Sequence, residues 1–278
     1  MLGEFTFSLF VENEGWVPSY YGYLFRAAIL QKISEVNPDL ASYLHESNLM
    51  RPYSLGRPHV ESRKRWIYRD RKLLLKEGMM IKYPLRTLNR QVTREMVKSV
   101  TLFKDLTIKL VDVSCTIGTV KFETEKRPVV GDMSPARVTF TGPIKFRTPV
   151  AFTVKKSPHR SLWADPFTMV KNLLNVYRAT AGEDRDTGEI GAAVFNENDF
   201  LDELEIHGYV RIVKGWASRE VPLGKERKII GAVGELEWKF DGKFPPDYLE
   251  TMKKLLLFGS FSNTGSSRTV GMGVFDYK

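Results

Sequence analysis

"LLLFGSFSNTGSSRTVGMGVF", residues 255–275, leads from a helix-like apolar run into a strand-like one, Val274 to Tyr277. Glycines stand at Gly259, Gly265, Gly271 and Gly273, serines cluster between them, and Arg268 is the one cation. The stretch is no Walker loop, because it has no lysine and follows a helix instead of opening one. A Rossmann fingerprint is excluded too, since that motif opens the first helix of a βαβ unit. Backbone this bare either turns through conformations closed to other residues or lets a ligand approach closely. Its N–H groups can also cradle a phosphate, with Arg268 adding charge. On the residues alone both readings stand.

Outward from that loop, the hydrophobic periodicity places the elements. Before it, Pro246–Phe258 reads as a helix, Gly234–Phe240 and Glu205–Val213 as strands, Pro166–Thr180 as a helix and Arg137–Phe146 as a strand. The first half repeats that order. Phe5–Val11 alternates as a strand, Tyr20–Val36 has helical spacing, and Asn37-Pro38 stops it before a short helix, Asp39–His45. Met79–Leu85 is a strand, Leu88–Val100 a helix and Asp105–Val113 a strand. The charged stretch 121–135, with Pro128, Gly131 and Pro135, marks a boundary between domains 1–130 and 131–278. Each half thus reads β-α-β-β-α-β, an α+β chain of two tandem ferredoxin-like (RRM-like) domains with a C-terminal glycine-rich loop.

The 278 residues suffice for two such domains, and 42% apolar residues suffice for two cores. No apolar run approaches the roughly 20 residues that span a bilayer. The opening MLGEFTFSLF lacks the basic region and cleavage site of a signal peptide, and Cys115 is the only cysteine. A cytoplasmic protein without membrane contact is expected. Net charge is +9, and residues 1–130 hold 21 Lys and Arg against 14 Asp and Glu. That excess suits a polyanionic partner.

Residues 51–76 concentrate it: Arg51, Arg57, Arg63, Lys64, Arg65, Arg69, Arg71, Lys72 and Lys76 stand against Glu61 and Asp70, with Tyr53, Trp66 and Tyr68 interleaved. Cations hold phosphates and aromatic faces stack on unpaired bases, so the mixture fits RNA; a solvated basic hairpin is the alternative. Among the histidines His45, His59, His159 and His207, no spacing suggests a metal site, and no cofactor motif occurs. His45 ends a helix just before the basic segment, where a proton-transfer group and a structural histidine look alike in sequence.

LLFGSFSNTGSSRTVGMGVF resembles the closing motif of the repeat-associated mysterious proteins of CRISPR systems, with Gly271-Met272-Gly273 matching its end. Ser260, Phe261 and Ser262 depart from the usual tight GxG. NPDLASYLHE followed by YSL (Asn37–Glu46, Tyr53–Leu55) is similar to the segment around the catalytic histidine of the CRISPR repeat endoribonucleases, the "Cas-six" family. RVTFTGPIKF and GAVGELEWKF resemble that family's second domain.

The resemblance implies metal-independent cleavage of CRISPR precursor RNA within each repeat, by attack of the RNA's own 2′-OH. It places His45 on the family histidine and Arg51 near the family lysine, with Arg26 as a helper; Leu30 occupies the position where some members carry a tyrosine. Arg57, Arg63, Lys64, Arg65, Arg69, Gly265, Arg268, Gly271 and Gly273 are the expected RNA contacts. Partners implied are repeat RNA, other CRISPR effector-complex subunits and a second copy of the chain. A non-catalytic RNA-binding subunit of an effector complex has the same fold and loop, and a generic ferredoxin-like RNA-binding module also remains open.

Overall fold

Phe5, Phe7, Leu9 and Val11 bury one face of the first strand while Glu4, Thr6 and Phe10 leave the other more open, the two-residue period of a half-covered sheet. That strand is the centre of the first of two units into which a computed structural model of the chain divides. The structure describes residues 1–45, 50–61, 67–103, 106–125, 143–154, 157, 159–180, 196–223 and 227–277. The first unit comprises Met1–Glu125, Val221–Ile229 and Thr269–Gly271; the second comprises Lys126–Glu220, Ile230–Arg268 and Met272–Lys278. The expected boundary at residue 130 lies outside the described residues.

In the first unit the order is β1 (Leu2–Val11), β2 (Gly15–Pro18), α1 (Gly22–Val36), α2 (Pro38–His45), β3 (Tyr53–Leu55), β4 (His59–Glu61), β5 (Tyr68–Arg69), β6 (Lys72–Leu75), β7 (Met80–Thr87), α3 (Arg90–Val100), β8 (Thr107–Leu110) and β9 (Val113–Glu125). The main sheet runs β3-β7-β1-β9-β8, and β4 also pairs with β7. Apart from β8 at the edge, this is the ferredoxin-like order, with β1 antiparallel to both β7 and β9. A smaller sheet, β2-β6-β5, carries the basic hairpin. The strand expected over Asp105–Val113 is two strands, because Val111 takes a left-handed turn at φ 63° and sends the chain back. Lys121–Glu125, expected in a linker, completes β9 against the start of β1.

In the second unit, β10 (Ile144–Val150), β11 (Phe152–Thr153), β12 (Arg160–Ser161), α4 (Pro166–Ala179), α5 (Glu197–His207), β13 (Gly208–Leu223), β14 (Arg227–Phe240), α6 (Pro246–Ser262) and β15 (Phe275–Tyr277) follow one another. The sheet order β13-β14-β10-β15 is again ferredoxin-like. Two expectations change here. Glu205–His207 ends a helix instead of starting a strand: Asn196 caps it, and Phe200, Leu201 and Leu204 bury one side. α6 passes Phe258 and runs to Ser262, so Gly259 is a helical residue; a Cβ there would lie 2.8 Å from both Leu173 Cδ2 and Phe275 Cζ. The early part of the expected strand, residues 137–142, lies outside the described residues.

Candidate active site

Helix α1 buries Phe25, Ile29, Leu30 and Ile33 along one stripe, which leaves Arg26 beside that stripe, half-buried. Asn37 then serves two helices. Its N–H donates to the Ile33 carbonyl at 2.7 Å, closing α1, and its Oδ1 accepts from Leu40 N at 3.0 Å, opening α2. Its Nδ2 also donates to Glu95 of α3 at 3.3 Å. So α2 leaves in a set direction. Leu40, Ala41 and Leu44 fix its inner face, and His45, next after Leu44, is exposed in its last turn.

Two guanidiniums act on His45 there. The His45 imidazole is held below its ordinary pKa, first by partial burial and then by the Arg26 and Arg51 guanidiniums acting on it. Arg26 Nε donates to the hydroxyl of Tyr53 at 2.7 Å, and Tyr53 is 1% exposed on the short strand β3. The Arg26 and Arg51 charges of the expected trio thus reach His45, and Tyr53, read from sequence among the aromatics interleaved for stacking, is instead buried and aims Arg26. The YSL strand two residues after Arg51 was the available signal. A neutral imidazole beside two guanidiniums can take a proton from a hydroxyl next to a phosphate whose charge those cations hold. Among the described residues, no three His, Cys, Asp or Glu side chains gather as a metal-ligand set.

The tyrosines earlier on the α1 segment are engaged elsewhere. Tyr20 donates to the Val270 carbonyl at 2.7 Å, and Tyr21 is buried with its ring against Tyr83 in an edge-on contact. Leu30, at the position where some relatives carry tyrosine, is a core residue.

Of the expected RNA contacts, Arg57 and Arg69 are exposed, Arg69 in a loose pair with Asp70 at 3.5 Å. Arg63, Lys64 and Arg65 lie outside the described residues. The glycine loop is a different matter, because its bare positions have causes within the protein. Gly265 (φ 76°) donates to Asn172 Oδ1 at 2.8 Å, and a Cβ on it would come 2.6 Å from the Ala151 carbonyl. Gly273 (φ 67°) donates to the Pro149 carbonyl at 2.9 Å, and its Cβ would come 1.8 Å from the Thr264 carbonyl. Gly271 (φ 86°) needs its conformation, with Gly56 O the nearest atom to a Cβ at 3.4 Å. Arg268, expected at the surface, is 4% exposed, because the chain around it folds inward with Asn263 donating to its carbonyl. Of the two readings left open by the sequence, turn or phosphate cradle, the geometry at Gly265, Arg268 and Gly273 is that of a packed turn.

Residues 144–275 match the family model of the CRISPR-associated endoribonuclease Cas6. Over that stretch the chain is similar to the Cas6 family. This bears out the resemblance seen in the closing loop and second domain. Solved structures share the fold along the whole length. A Thermus thermophilus Cas6 in a product complex is 17% identical, covers 99% of each chain and superposes with a TM-score of 0.71. A Cas6-related protein of Pyrococcus furiosus is 13% identical over 100% of this chain and 99% of its own, with a TM-score of 0.63. A protein described as a RAMP binding different RNA substrates is 16% identical over 99% of both chains, at 0.61. No curated protein sequence matches the chain.

Proposed function

We propose that the chain is a CRISPR repeat endoribonuclease that cuts precursor RNA within its repeats without a metal ion. The carrying observation is the hydrogen bond that holds Arg26 to Tyr53, two residues after Arg51, with both guanidiniums acting on His45 at the end of α2. In this reading neutral His45 takes the proton of the 2′-OH, whose oxygen attacks the adjacent phosphorus. Arg26, aimed by Tyr53, and Arg51 hold the extra negative charge of the phosphorane. The bond to the 5′-oxygen breaks, that oxygen takes a proton from water, and the products are a 2′,3′-cyclic phosphate and a 5′-OH. The exposed Arg57 and Arg69, with Arg63, Lys64 and Arg65, hold phosphates along the RNA. Gly271 serves the turn of the closing loop, as do Gly265 and Gly273, and Arg268 is packed within that turn.

The test is to incubate the protein with end-labelled repeat RNA in excess EDTA and map both product ends. Cutting at one position, abolished by a single 2′-deoxyribose there, is the expected result. Tight binding without cutting would make the chain an RNA-holding subunit, and cutting only with added divalent cation would overturn the metal-free mechanism.

A further inference from the structure

The hairpin of β5 and β6 turns in two residues, since Arg69 pairs with Lys72 across the register. Its corner residues, Asp70 and Arg71, have φ of 49° and 60°. Both are left-handed, the pattern of a type I′ turn, whose second corner favours glycine. Arg71 occupies that glycine slot. The Arg71 carbonyl accepts from Ser19 N at 2.8 Å, so the corner is tied down in the strained form. A conformation that disfavours a side chain is kept here with a guanidinium on it.

At the base of the same hairpin stands Tyr68, 56% exposed. Partial burial raises the pKa of its hydroxyl, and the exposed Arg57 guanidinium pulls it the other way. Arg57 follows directly on β3 and Gly56, two residues beyond the strand that carries Tyr53. An exposed aromatic ring offers a base a stacking face, and a guanidinium whose charge reaches it offers the phosphate a counter-charge.

We propose that the β5–β6 hairpin is a nucleotide subsite for an unpaired part of the repeat: a base stacks on Tyr68, its phosphate meets Arg57, and Arg71 holds a neighbouring phosphate at the hairpin tip. The subsite rests on the endoribonuclease reading above. The test measures affinity for repeat RNA carrying 2′-deoxyribose at the mapped cut, together with thermal unfolding, for wild type, Tyr68→Ala, Tyr68→Phe and Arg71→Gly. Tyr68→Ala should bind about tenfold more weakly while Tyr68→Phe stays within about twofold, because stacking needs the ring alone. Arg71→Gly should melt no lower than wild type, yet bind more weakly and flatten the salt dependence by about 0.7 to 0.9 in log–log slope. If Tyr68→Ala and Arg71→Gly both bind as wild type while wild type cuts the unmodified repeat, the subsite is overturned and the enzyme reading survives. If wild type neither binds nor cuts the repeat, both are overturned.

Discussion

At the scale of single residues, the proposed chemistry turns on an imidazole kept neutral. Because the His45 pKa lies below its ordinary value of 6.5, the folded protein carries the base form at neutral pH. Acting as base, it should make kcat/KM rise with pH through a midpoint below 6.5 and then level off. A single-turnover pH profile of wild type against His45→Ala checks this: the variant should be slower by about 10²-fold or more and should lose that limb. A wild-type profile falling with rising pH would make His45 the acid. Tyr53→Phe isolates the aiming of Arg26. Losing one hydrogen bond to a charged group should slow cleavage about tenfold, with repeat affinity unchanged because the buried ring remains. Equal losses of affinity and rate would make Tyr53 a general support.

Among the elements, the closing loop separates two uses of glycine. Gly273→Ala drives a Cβ into the Thr264 carbonyl and also faces a left-handed φ, whereas Gly271→Ala meets only the backbone cost. Gly271→Ala should destabilise by about 1–2 kcal/mol. Gly273→Ala should melt clearly lower than Gly271→Ala, and matching melting temperatures in thermal unfolding would refute the packing account. The loop also shows where sequence stops being informative. Its position between a last helix and last strand was legible, because periodicity reports elements. That its amides bond to Asn172 and Pro149 was not, because those partners are distant in sequence. The same limit hid α5, whose last residues, Glu205–His207, were read as the start of the strand that follows. His45 and Arg51 were found from the family motif, but the link from Arg26 to Tyr53 joins α1 to β3 across 27 residues.

Over the whole molecule, charge should govern encounter with RNA. The formal net charge is +9, most of it in the first 130 residues. Repeat affinity should therefore fall steeply with salt, by about 0.7 to 0.9 in log–log slope for each phosphate held. Reversing Arg63, Lys64, Arg65, Arg69, Arg71 and Lys72 together should flatten that slope, read from binding titrations across a salt series. An unaltered slope would locate the phosphate track elsewhere. Both ferredoxin-like orders were legible at this scale, since each half shows its alternation of strand and helix; the turn at Val111 that splits the expected strand into β8 and the start of β9, and the small sheet, were not, being too short to set a period.

Strand β15 pairs with β10, and the ion pair of Arg147 with Asp276 spans 129 residues of chain. A ribosome therefore exposes one edge of β10 until almost the whole second unit has been translated. Closing that sheet is a late, long-range event, so refolding from denaturant should be slow compared with helical proteins of similar size. Until it happens, Ile144 and Phe146 sit on an open strand edge able to pair with another nascent chain. Molecules cut short before Phe275 should accumulate as aggregates even though every residue of the α1–α2 cluster has already been made.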